Sequence, residues 1–147
     1  MMKLRQATLR DAEAIRILIH PYIYDFAVNI EGEQKFSIEA ICQLIHTPEL
    51  YYWLLEDKGR LKGVIAYKKP AHLIHFFVDS RYQKQGLGRY MWNFVEEKLK
   101  LSSESMSVNS SEYAVPIYQK MGFKVISDVA EAYGLRFVKM RKDFSVH

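Results

Sequence analysis

The 147-residue sequence holds one cysteine, four prolines and no long uncharged apolar run. A lone Cys42 excludes an internal disulfide framework and agrees with a reducing compartment. It falls among Ile38, Ile41, Leu44 and Ile45, the setting of a small buried hydrophobe rather than a nucleophile. No apolar stretch approaches the ~18–20 residues that cross a bilayer. Met1-Met2-Lys3-Leu4-Arg5 lacks the apolar centre of a signal peptide. A soluble, cytoplasmic protein without a membrane partner is therefore expected. Charge of one sign is scarce too: 21 Lys and Arg stand against 17 Asp and Glu, a net +4. The pI near 9.1 suits an anionic ligand and is too weak by itself to argue for nucleic acid. Five scattered histidines, with no H-x-x-H or C-x-x-C spacing, give no metal site. Gly86-Leu87-Gly88-Arg89-Tyr90-Met91 lacks the third glycine of a dinucleotide fingerprint, and neither a Gly-Lys-Ser/Thr loop nor a nucleophile elbow occurs.

What is present is a core. Twenty residues are Phe, Trp or Tyr, and nearly half the chain is hydrophobic, which suits one folded domain spanning 1–147. Residues 3–7 can form an edge strand. Thr8-Leu9-Arg10-Asp11 then opens a helix that puts Ile15, Leu18, Ile19 and Tyr22 on one side and ends near His20-Pro21. Residues 22–35 space Tyr22, Tyr24 and Phe26 by two, then turn acidic with Glu31 and Glu33, either as a pocket wall or as a connector. Ser37 caps a helix over 38–46. Residues 51–56 and 61–67 form a hairpin through Asp57-Lys58-Gly59-Arg60, with glycine at the left-handed position. Residues 72–78 are a third strand, and 106–108, 123–126 and 135–140 are three more. A short helix over 112–121 contains Pro116, which should loosen its first turn.

The most informative stretch is 74–99. A β-branched and aromatic strand ends at Val78-Asp79. A helix follows, with apolar residues at Leu87, Met91, Phe94, Val95 and Leu99. Between them lies Gln83-Lys84-Gln85-Gly86-Leu87-Gly88. A helix start presents unpaired N–H groups and the positive end of the macrodipole, and glycine lets an anion approach the backbone. Lys84 and Arg89 add charge. The stretch is an anion cradle suited to a pyrophosphate.

Two motifs resemble the GNAT superfamily of acetyl-CoA-dependent N-acetyltransferases. One is this strand and loop, similar to the family's Q/R-x-x-G-x-G/A segment. The other runs from Asn109 through Tyr118 to Gly122-Phe123, similar to N-x(4)-A-x(3)-Y-x(3)-G-F. The resemblance implies an α/β (α+β) fold with a mixed, mostly antiparallel sheet of six to seven strands. That sheet is splayed between strands 4 and 5, with helices on both faces. It implies acetyl-CoA as co-substrate, with no metal. Phe76, Phe77 and Val78 would flank the pantetheine arm, and the backbone groups of Phe76 and Val78 would pair with it. The pyrophosphate would lie against Gln83, Lys84, Gln85, Gly86, Leu87, Gly88 and Arg89, and Asn109 would bond the cofactor near its amide arm. Tyr118 falls where the family often keeps the acid that protonates the departing thiolate.

The chemistry makes its own demands. A thiol has a pKa of about 8.5 and a phenol about 10, so full proton donation from tyrosine is uphill by roughly 2 kcal/mol. Tyr118 helps by hydrogen bonding as charge develops. An alkylamine near pKa 10.4 needs something to take its proton. His72 is a candidate base, with ordered water or prior deprotonation as alternatives. His75, three residues on, faces the other way in a regular strand unless a bulge intervenes. Its plainer role is pairing inside the core. Tyr22, Tyr24 and Phe26, together with Tyr67 and residues 132–136, are candidates to read the acceptor, and Glu31 and Glu33 could attract a cationic amine. The acceptor is a small-molecule amine or a peptide or protein amine, with no nucleic acid expected. The resemblance makes a homodimer one available assembly. A non-catalytic acyl-CoA sensor on the same fold is the rival reading.

Overall fold

The computed structural model describes residues 1–144. Its eight strands are β1 (Met2–Gln6), β2 (Leu50–Asp57), β3 (Arg60–Lys68), β4 (His72–Val78), β5 (Ser105–Ser110), β6 (Lys124–Val125), β7 (Ala130–Ala132) and β8 (Leu135–Asp143). The helices are α1 (Ala12–Ile19), α2 (Ile30–Gln34), α3 (Ile38–His46), α4 (Leu87–Leu99) and α5 (Val115–Lys120). The sheet runs β1-β2-β3-β4-β5-β8-β6, with β7 paired to β8. All pairs are antiparallel except β4 with β5. This is the mixed, mostly antiparallel sheet expected, with one strand more. The extra strand is β7, made by the two-residue turn Tyr133-Gly134, both at positive φ.

The β2–β3 hairpin forms as its turn residues dictate. Asp57 opposes Arg60, and Lys58 and Gly59 both take positive φ. One core lies between the sheet and α4 and α5, around Met91, Val95, Met106, Phe123 and Met140. The other lies under α1 and α3, around Ile15, Ile19, Ile41, Leu54 and Val64. At the start of the chain, Asp11 accepts from the Thr8 N–H at 2.7 Å, closing the expected cap, and also takes the Arg5 guanidinium. The helix over 112–121 is shorter than its pattern suggests. It begins at Val115, which places Pro116 in the first turn, where a missing N–H costs nothing. Residues 22–35 are not a plain connector. They fold as a 3₁₀ turn (His20–Asp25) and then α2, capped by the Asn29 side chain on the Gly32 N–H.

Two features of β4 shape the space beside it. Its register against β3 jumps between Ala66 and Tyr67, so β4 carries one residue in excess. Ile74 and His75 both pack on the α1–α3 side, while Leu73 and Phe76 face α4 and α5. Against β5 the ladder holds only at His72–Ser107 and Leu73–Val108. Beyond that point the two parallel strands part.

The 3₁₀ turn is anchored from across the sheet. Phe26 accepts from the Arg136 N–H at 2.7 Å, and the Val28 N–H donates to Gly134 at 2.9 Å. Gly32 lies so close that a Cβ on it would collide with the Gly134 carbonyl. Backbone cannot yield as a flexible side chain can. Gly32→Ala should therefore lower stability by about 2 kcal/mol or more, read from urea unfolding.

Candidate active site

A cleft of about 550 Å³ opens where β4 and β5 separate. Along β4 the backbone alternates. The Asp79 N–H donates to Lys62 on the β3 side at 2.8 Å, and the Phe77 carbonyl points toward Gly63. Phe76 and Val78 therefore turn their amide groups to the other edge, into the cleft. The Val78 carbonyl is already engaged. It accepts the Tyr22 hydroxyl at 2.6 Å and the Gln83 side-chain amide at 3.2 Å, and Gln83 also donates to the Tyr22 oxygen. Tyr22 stacks on Phe77 at 5.4 Å, and Phe26 meets the same ring edge-on at 6.3 Å.

The loop before α4 gives the cleft backbone geometry and charge that could hold an anion. Helix α4 starts from Gly86 in the left-handed conformation, and Lys84 also has positive φ. Left-handed residues among ordinary ones turn successive N–H groups the same way, which makes a concave nest for oxygen anions. Gly88 lies across from Phe76 and Val78, and a Cβ on it would make only ordinary contacts with them, at 3.8 and 3.7 Å. The charged side chains of this loop and helix start that line the cleft are Lys84 and Arg89.

Tyr118 lines the middle. Its ring packs against Phe76 and Phe123, with centroids 6.4 and 5.2 Å away. Burial drives its phenol well above the usual range, and the residue lines the cleft. It is a neutral donor at any pH the protein meets.

Of the residues named from sequence, Phe76, Phe77, Val78, Gln83, Lys84, Gly86, Leu87, Gly88, Arg89, Asn109, Tyr118, Tyr22 and Phe26 line this cleft. Gln85 does not. Tyr24 is 63% exposed and donates to Glu33 at 2.9 Å, outside the cleft. Spacing by two suits a strand, whereas the 3₁₀ turn brings together residues three apart. That turn puts Asp25, not Tyr24, beside Tyr22. Asp25, Ser111 and Tyr113 also line the cleft and were not singled out from sequence. Tyr113 sits inside the second motif, so position there was its available signal. Glu31 and Glu33 lie outside, and Tyr67 stacks on Tyr51 in the core.

Neither histidine of β4 lines the cleft. His72 is half-buried where the ladder is still closed, with Nδ1 hydrogen-bonded to the Ser107 hydroxyl at 2.7 Å. Burial, with help from Lys68, lowers its pKa. His75 is buried, bonds the Tyr52 hydroxyl through Nδ1 at 2.8 Å and stacks on Phe36. Burial pushes its pKa down to about 4. Among the described residues no group of three or more His, Cys, Asp or Glu could hold a metal ion, and no helix is long and apolar enough to cross a membrane.

Residues 27–144 match the sequence model of the acetyltransferase (GNAT) domain family. No curated protein sequence matches the chain. Solved structures with a similar fold include the PaiA N-acetyltransferase from Thermoplasma acidophilum in complex with coenzyme A, with TM-score 0.76 and 17% identity. The match covers 98% of this chain and 99% of that one. The ribosomal-protein-S18-alanine N-acetyltransferase from Escherichia coli superposes with TM-score 0.74 at 16% identity, covering 100% and 96%. An aminoglycoside 6'-N-acetyltransferase complexed with coenzyme A gives TM-score 0.72 at 13% identity, covering 99% and 98%.

The buried imidazole carries a pH signature. His75 titrates near 4 when folded and near 6.5 when unfolded, so between those values the unfolded chain holds the extra proton. Its contribution is complete above about pH 6.5 and is lost as pH falls toward 4, by up to about 3 kcal/mol. His75→Gln should flatten the urea-midpoint profile across that window relative to wild type.

Proposed function

The chain belongs to the GNAT acetyltransferase family, and from that premise we propose that it moves an acetyl group from acetyl-CoA to a primary amine. The observation that carries this reading is the cleft itself. One open strand edge, a nest of helix-mouth amides and a buried neutral phenol line a single space. The similar solved structures include two in complex with coenzyme A and two named for acceptors that carry amines.

In this reading the amides from Gln83 to Gly88 hold the diphosphate, assisted by Lys84 and Arg89. The helix-mouth charge offsets the ligand's, and the left-handed backbone fixes the donors before binding. The Phe76 and Val78 edge pairs with the pantetheine amides as an added strand would. Only the Val78 N–H remains open there, because Tyr22 and Gln83 hold its carbonyl. Asn109 bonds the cofactor from the β5 side. The amine attacks the thioester carbonyl, the C–S bond breaks, and Tyr118 donates a hydrogen bond to sulfur as its charge grows. Its phenol, raised by burial, stays protonated throughout. His72 sits at the closed end with its Nδ1 bonded to Ser107, so water in the cleft is the better carrier of the amine's proton.

Acetyl-CoA turnover, read as free thiol against a panel of amines, tests the activity. A sensor on this fold would bind acetyl-CoA without consuming it. Tyr118→Phe should cut kcat by about 10- to 100-fold and shift the KM for acetyl-CoA little. Gly88→Ala should fold normally, because its Cβ would meet Phe76 and Val78 only at ordinary contact distances, yet weaken coenzyme A in calorimetry by at least ~10-fold.

A further inference from the structure

The cleft is lined by charge of both signs, and a cofactor accounts for the positive groups. Lys84 and Arg89 stand at the α4 mouth. Asp25 is the lone carboxylate among the lining residues. It comes from the 3₁₀ turn, one residue before Phe26, and acts on the Tyr22 phenol electrostatically. Tyr113, from the loop after β5, also lines the cleft. Neighbouring carboxylates are committed: Glu33 to Tyr24, Asp79 to Arg81 and Glu131 to Arg136. Among the described residues Asp25 has no such ion pair; it is exposed at the cleft, and partial desolvation raises its carboxyl.

Resting on the acetyl-transfer reading, we propose that Asp25 anchors a second cationic group of the acceptor. The substrates are then diamines and other amines that carry a further positive charge. A carboxylate beside the reacting nitrogen would work against the reaction, because it stabilises the ammonium form that cannot attack. As a base it would be worse still, since a carboxyl titrates about six units below an alkylammonium. Neither objection applies to a charge that persists through the reaction. Tyr22, Phe26 and Tyr113 supply aromatic faces for that cation and for the methylenes leading to it. In this reading the diphosphate lies against Lys84 and Arg89, the thioester beside Tyr118, and the retained charge at Asp25.

Three acceptors of equal chain length test this: 1,5-diaminopentane, 5-amino-1-pentanol and pentylamine, each assayed as free thiol released. Wild type should favour the diamine over the amino alcohol by about 10-fold or more in kcat/KM, mostly through KM. Asp25→Asn should bring that ratio to within about 2-fold, the statistical advantage of two amines, while Asp25→Glu retains part of the preference. Thermal melting of both variants reports their folding. A wild-type ratio near the statistical value, or an undiminished ratio in folded Asp25→Asn, overturns the proposal. Transfer to other amines but to none of these three overturns it alone. Binding of acetyl-CoA without transfer to any amine overturns the catalytic reading with it.

Discussion

A parallel ladder that stops after two pairs governs this molecule. His72–Ser107 and Leu73–Val108 are joined, and the next residues of β4 and β5 are not. Buried backbone amides must find partners, so a strand edge left open inside a protein is a site waiting for one. In β4 the open groups belong to Phe76 and Val78. The excess residue at Ile74–His75 accompanies the separation, since it turns two successive side chains to one face and bends the strand where the ladder ends. Everything else in the cleft is arranged along that edge.

Part of the edge is closed from within. Tyr22 and Gln83 together satisfy the Val78 carbonyl, one from the turn after α1 and one from the loop before α4. Their shared hydrogen bond ties the turn after α1 to the loop before α4. The turn after α1 is held at its other end too, through the Phe26 and Val28 bonds to the β7–β8 hairpin and the close approach of Gly32 to Gly134. A short 3₁₀ turn has little intrinsic stability, and these two attachments set its position.

One environment acts oppositely on the Tyr118 phenol and the β4 imidazoles. Tyr118 and His75 are buried and His72 is half-buried, and burial disfavours charge. A phenol is neutral when protonated, so burial keeps its proton; an imidazole is neutral when deprotonated, so burial removes it. A histidine six residues before Val78 was a reasonable candidate for the amine's proton. Its place beside Ser107, where the strands are still paired, reflects how far the ladder runs, and no local pattern encodes that length.

Much was legible in the sequence because it is local. The Lys58-Gly59 turn, the Ser37 cap, the glycine that opens α4 and the apolar stripe of that helix each depend on residues within a turn or two. The two motifs marked the loop before α4 and Tyr118, which line one cleft, and the resemblance they carry supplied the mixed, mostly antiparallel sheet. What the chain's own pattern could not convey is the meeting of segments far apart in number. Tyr22 lies 56 residues from the carbonyl it bonds, and Asp25 enters the cleft because a 3₁₀ turn, not a strand, aims it there. By itself the sequence determined the elements and the glycine-opened mouth of α4, since helix ends, turns and periodic faces are set by neighbouring residues. Tertiary structure alone decided which carboxylate and which aromatic side chains of residues 22–26 face the cleft, and that neither β4 histidine does, since that depends on where two strands part and on distant backbone closing around them.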